Sequence, residues 1–191
     1  MAEFTLTAEP FLGRYEQSFA NVKLREIYDI ALVSAAVPLG KLTAAKKAVK
    51  LALGVALPDV GGSVLSKDGN MRILRLGSDQ AFVIFPRAQH ETGAEPHIAA
   101  LLDGKFYTTD QSDVWSMLEL SGTGARLALE RICPLDLSAS TFEIGAVART
   151  SMEHLGTIII RSDEDSFLLM SASSSAQSFL HAVETSINNT A

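Results

Sequence analysis

The residues from which most metal and redox centres are built are scarce in this sequence. It holds one cysteine, Cys133, and four histidines among 191 residues. A single thiol excludes an internal disulfide and any multi-thiolate metal or iron–sulfur centre. Positive charge is short as well: 16 Lys and Arg stand against 22 Asp and Glu, a net charge of −6. That is the wrong sign for a partner made of phosphates, so no nucleic acid is expected. No apolar run approaches the ~20 residues that span a bilayer. The opening stretch MAEFTLTAEPFLGRYEQ carries early acids and has no basic start followed by an apolar run, the form of a secretory signal. The expectation is a cytoplasmic protein without a membrane partner.

What is present is ordinary globular material, 47% apolar and 20% charged. The length suits one compact domain, or two half-domains sharing a core. A chain of this size buries roughly 70% of the surface its unfolded form exposes, so it needs no staple. Its mean hydropathy of +0.19 is high for a soluble monomer. Either the core is large or another subunit covers apolar surface; the second is favoured.

Along the chain, residues 1–24 form an arm without clean periodicity but with Phe4, Leu6, Phe11, Leu12, Tyr15 and Phe19. So aromatic an arm is tied down on its own domain or docked on a partner. YDIALVSAA over 28–36 predicts a strand buried on both faces. KLTAAKKAVKLALG predicts a helix with Leu42, Ala45, Val49, Ala52 and Leu53 on one side, stopped at Gly54. MRILRLGS and QAFVIFP predict two strands, 88–97 a polar loop, and HIAALL a short helix before Gly104. The order then recurs. DVWSMLELS is a strand and GTGARLALERI a helix. VARTSMEH, GTIIIR and FLLMSA are strands, and SAQSFLHAVETSI is a closing helix, with Ser174 and Gln177 at capping-box spacing. The halves, 25–105 and 106–191, repeat with a period of about 85 residues. The fold expected is α+β, a duplicated β-α-β-β-α unit within one compact domain.

The patterns that carry chemistry are incomplete. His90 and Glu91 begin HETGAEPH, but the next histidine, His97, is seven residues on and Gly93 and Pro96 interrupt any helix, so the zinc-protease geometry fails. Gly122 and Gly124 make a G-x-G between a strand and a helix, but Leu127 stands where a third glycine belongs, and turning or capping explains the pair better than a dinucleotide. Cys133 has no Cys/His/Asp set at a readable spacing. His154, in a predicted strand, and His181, on a helix flank, are isolated, whereas a zinc site needs three or four ligands. The carboxylate pairs Glu91/Glu95 and Asp110/Asp113 and the run 163–165 lie in predicted loops, where solvation keeps both partners ionised. No catalytic, cofactor or metal residue is assigned. Lys41, Lys46, Lys47 and Lys50 give the first helix four cations and no acid, read first as a solvated face and second as a docking surface.

The stretch DQSDVWSMLELSGTGARLALERICPLDL over 110–137 resembles the gamma subunit family of bacterial heterotetrameric sarcosine oxidases. The features that carry it are Asp110, Ser112 and Asp113, the strand end Leu120-Ser121-Gly122, Ala125-Arg126, and the corner Cys133-Pro134-Leu135-Asp136-Leu137. Phe142, Gly145 and Ala148-Arg149-Thr150 continue it. Upstream, LRLGSDQAFVIFP is similar to the family's L-G-P-D-E-W segment, with Ser78 for the proline and Phe82 for the tryptophan. The resemblance covers roughly residues 70–187. It implies a fold like the folate-binding region of aminomethyltransferases and a non-catalytic subunit with alpha, beta and delta partners. Sarcosine would go to glycine and hydrogen peroxide, with a one-carbon unit passed to tetrahydrofolate. It implies no cofactor in this chain, with FAD, FMN and NAD in the large partners and zinc in the small delta subunit. Related N-methyl amino acid dehydrogenases contain a similar chain. A free-standing folate-binding, aminomethyltransferase-like domain is the other reading of the same likeness.

Within the subunit reading, Arg126 and Arg149 are candidate interface or structural anchors, since arginine suits bidentate carboxylate contacts. Trp115 is a candidate packing anchor. The plainer roles are a Trp115 in ordinary core and an Arg126 pairing with Glu130 one turn on, worth about 0.3–0.5 kcal/mol.

Overall fold

The computed structural model describes residues 9–87 and 93–190. The readings of Phe4, Leu6, His90 and Glu91 lie outside them. After a short strand β1 (Glu16–Ser18) and β2 (Lys23–Ile27), the first unit runs β3 (Ile30–Ala36), α1 (Leu42–Leu53), β4 (Gly62–Leu65), β5 (Arg72–Arg75), β6 (Gln80–Pro86), α2 (Ala94–Leu101) and β7 (Tyr107–Asp110). The second runs β8 (Trp115–Ser121), α3 (Ala125–Glu130), β9 (Val147–Met152), β10 (Leu155–Asp163), β11 (Ser166–Ala172) and α4 (Ala176–Asn188).

All strand pairs are antiparallel, in two sheets ordered β4-β5-β6-β3-β7 and β1-β2-β8-β11-β10-β9. The period-two alternation of each strand sends its apolar residues to two layers. Ala81, Val83 and Phe85 of β6 pack with Ala45, Ala48, Val49 and Leu53 of α1 and Ile98 of α2. Leu118, Leu120, Ile159, Phe167 and Leu169 do the same with Ala125, Ala128 and Leu129 of α3 and Phe179, Leu180 and Val183 of α4. The opposite faces meet each other through Leu32, Leu74, Phe82, Ile84, Met117, Ile158, Ile160 and Met170. The stack is therefore helices, sheet, sheet, helices, with three apolar layers between.

The repeat is visible in the hydrogen bonds. Gly61 N–H donates to Arg75 O and Gly145 N–H to Arg161 O, both at 2.8 Å. Ser63 N–H reaches across to Gly145 O and Val147 N–H to Gly61 O, so the two sheets are stitched at this seam. Arg75 and Arg161 are both buried. Arg75 donates to the carbonyls of Pro58 and Ser78, and Arg161 to those of Phe142 and Glu164, each pair in the same relation to its own strand.

The α+β class and the duplication hold, and each unit is β-α-β-β-β-α: the three strands after the helix were legible in the second half, and the first half has a third one as well. The added strand of the first unit, β4, has no clear apolar alternation. The sheets also cross the expected division at residues 25 and 106, since β1 and β2 extend the second unit's sheet and β7 extends the first's. Three local readings change. α2 starts at Ala94, inside the stretch 88–97 expected to be a polar loop, and holds Pro96 in its first turn, where a missing N–H costs no helical bond. His154 lies in the two-residue turn Glu153-His154, both residues at positive φ, rather than in a strand. The start of α4 makes no side-chain cap bond; residues Ser173–Ser175 form a 3-10 turn there instead.

Candidate functional site

Aromatic and charged side chains gather where the two sheets meet. Trp115, at the start of β8, is half-buried and packs edge-on against Phe82 of β6, ring centres 6.1 Å apart at 61°. Arg149 of β9 sets its guanidinium 5.9 Å from the same Phe82 ring. An edge-to-face pair and a cation over a ring each add on the order of 1 kcal/mol to plain burial. Two of the three anchors are thus brought together on one buried ring. Arg126 is not among them. It is exposed on α3, with Nε 3.7 Å from Glu130 Oε1 in the i, i+4 pairing.

Beside Trp115 opens a cavity of about 480 Å³, which Glu26, Tyr28, Arg87, Ser112 and Asp113 also line. Three of its charged side chains are engaged within the chain. The buried Glu26 carboxylate accepts the Leu12 N–H at 2.9 Å and the Arg14 N–H at 2.8 Å. Arg87 pairs with Asp113 at 3.0 Å. A carboxylate that holds two backbone N–H groups straps the arm to β2. The Trp115 indole N–H is buried with no partner. A second cavity of about 380 Å³ lies between Arg131, Glu153, His181 and Asn189, at the outer side of α4.

The arm is fastened at several points. Leu12 enters the core between the second sheet and its helices, with Tyr15 and Phe19 against it. Tyr15 Oη lies 2.5 Å from Glu184 Oε1, and burial first, then this carboxylate, raises its pKa. Asn21 lies against the G-x-G pair. A Cβ at Gly122 would stand 2.3 Å from Asn21 O, and one at Gly124 would stand 2.6 Å from the Asn21 side chain. The glycines therefore admit the arm's own backbone, into the space a pyrophosphate would need. Cys133 is buried, and desolvation pushes its thiol up, away from the thiolate. Among the described residues no group of three or more His, Cys, Asp or Glu side chains is placed to hold a metal ion, and no helix is long and apolar enough to cross a membrane.

The sequence pointed to Trp115 and Arg149 one at a time; their common partner Phe82 lies on a distant strand. Glu26, Arg75 and Arg161 were missed. The one signal they give is a charged residue at an inward register position of a strand.

No family model matches the chain. Proteins named sarcosine oxidase subunit gamma from Corynebacterium sp. (strain P-1) and Arthrobacter sp. are 32% and 31% identical to it. Those matches cover 68% and 67% of this chain and 63% and 62% of the relatives. The chain thus spans a little under two thirds of the length of the curated relatives it matches. In structure it is similar to a chain of the heterotetrameric sarcosine oxidase from Corynebacterium sp. U-96 in complex with pyrrole 2-carboxylate. The TM-score is 0.76 at 23% identity, covering 91% of this chain and 88% of that one. Glycine cleavage system aminomethyltransferase T from Bartonella henselae gives a TM-score of 0.61 at 17% identity, covering 86% of this chain and 45% of that one. The fold is that of the aminomethyltransferase-like chains; in sequence the chain resembles sarcosine oxidase gamma subunits, and in architecture a chain of a heterotetrameric sarcosine oxidase.

Proposed function

We propose that this chain is the gamma subunit of a heterotetrameric sarcosine oxidase: a cytoplasmic, non-catalytic partner of alpha, beta and delta subunits. In that complex sarcosine is oxidised to glycine and hydrogen peroxide, and the one-carbon unit passes to tetrahydrofolate. FAD, FMN, NAD and zinc belong to the partner subunits, and this chain holds none. What carries the reading is similarity on two levels at once: about one third identity to gamma subunits over 130 residues, and a shared fold over nearly the whole of both chains. The internal pairing of Glu26, Arg87 and Asp113 supports it, because those groups are spent on the chain's own structure.

The test is recovery of the tagged chain from its native host, followed by native mass spectrometry and an absorbance spectrum. The reading predicts an assembly with larger, flavin-coloured subunits that consumes oxygen when given sarcosine or a related N-methyl amino acid. A lone chain that takes up tetrahydrofolate saturably at micromolar concentration would replace it with the free-standing folate-binding reading.

A further inference from the structure

The outward face of α1 is built from cations that no described carboxylate answers. Between Asp29 and Asp59 the sequence has no acid, yet it carries Lys41, Lys46, Lys47 and Lys50, in a chain whose net charge is −6. Ala45, Ala48, Val49 and Leu53 turn inward, and all four lysines are exposed. At 3.6 residues per turn, Lys46, Lys47 and Lys50 fall within about a third of the helix circumference. Among the described residues none of the four lies within ion-pair distance of a carboxylate, whereas Lys23 pairs with Glu16 and Lys105 with Asp103. Lys50 alone has a use within the helix, donating to Gly54 O at 3.2 Å in the last turn. Lys46 and Lys50 stand four residues apart, a spacing at which like charges destabilise a helix. On the same side Leu51 is 76% exposed, and Leu39, just before the helix, is fully so.

We propose that this face is a subunit-docking surface, and that its occupant is an acidic protein surface with an apolar centre, on a neighbouring subunit of the assembly. The inference rests on the subunit reading given above. Opposite charge relieves the lysine repulsion and sets the register of docking, while Leu51 supplies the apolar contact.

The test uses the purified assembly and the isolated chain, acetylated in parallel with an amine-reactive reagent and read lysine by lysine. Protection of Lys46, Lys47 and Lys50 by at least ~10-fold in the assembly, with Lys23 and Lys105 equally labelled in both states, is the expected result. The K46E/K47E/K50E chain, with its fold checked by circular dichroism, should join the other subunits at least ~10-fold more slowly and lose the salt dependence of the wild-type rate. A K23E/K105E chain should assemble as wild type does. Equal labelling in both states, or unimpaired assembly of the triple variant, overturns the docking surface while leaving the subunit reading intact. Wild-type chain that joins no assembly overturns both. Binding to phosphatidylglycerol vesicles through these lysines, with no protection in the assembly, overturns it in favour of a lipid surface.

Discussion

Gly122 has φ +112°, and the position a Cβ would take is occupied by the Asn21 carbonyl. Neither obstacle can be relieved by turning a side chain, so Gly122→Ala should cost about 2–4 kcal/mol, read as a shift of the urea midpoint. At Gly124 the obstacle is the Asn21 side chain. Asn21→Ala should therefore rescue most of the loss caused by Gly124→Ala and little of that caused by Gly122→Ala. Equal rescue of both would mean that the arm does not hold these glycines in place. Glu26 makes a second prediction at this scale. Its oxygens each take one backbone N–H of the arm, so Glu26→Ala leaves the buried Leu12 N–H without an acceptor, at about 1–3 kcal/mol, and the part-buried Arg14 N–H at a smaller cost. The Leu12 and Arg14 amides should then exchange hydrogen faster than the sheet does. These roles were invisible in the sequence. G-x-G carries no mark of a segment that arrives from a hundred residues away, nor Glu26 of an arm that folds back onto it.

Among the elements, the ones that could be read were the long ones. β6, β8, β10 and β11 run for seven or more residues with long buried stretches, and α1 and α4 show one apolar stripe each. β1, β4 and β7 are three or four residues long, sit at sheet edges and present mostly polar side chains, so periodicity had nothing to act on. Trp115 stood out as the sole tryptophan, but its stacking with Phe82 and Arg149 depends on sheet packing, which no local pattern encodes. The buried arginines of β5 and β10 belong to this scale. Arg161→Met should cost about 3 kcal/mol, because the carbonyls of Phe142 and Glu164 lose their donor. Arg75→Met should cost less, since its bonds are longer and its Nε already lacks a partner. Denaturation curves of both variants check the order. The thiol at the end of α3 adds a pH dependence. Burial raises the Cys133 pKa, so above the ordinary thiol range the unfolded chain releases a proton that the folded chain keeps. Stability must then fall as pH rises past about 8.5. Cys133→Ala should flatten this alkaline decline, and an unchanged slope would assign it to other groups, such as Tyr15, whose pKa is also raised.

For the molecule as a whole, the high mean hydropathy has two sources. Three apolar layers, one between the sheets and one under each pair of helices, absorb much of it. The remainder lies outside: Leu39, Leu51, Val60, Leu127 and Ile144 are each more than half exposed. Val60 and Ile144 each directly precede one of the seam glycines, Gly61 and Gly145, so the duplication repeats an exposed apolar residue on both sides of the seam. A molecule that spends Glu26 on its own backbone and pairs Arg87 with Asp113, while leaving several apolar residues at the surface, is suited to holding other subunits in place. The most direct measurement is sarcosine-dependent oxygen consumption, taken on the intact assembly and on the separated single chain, each with its absorbance spectrum. The account predicts turnover and flavin absorbance in the assembly, and neither in the single chain. A single chain that oxidised sarcosine, or that carried a flavin of its own, would contradict it.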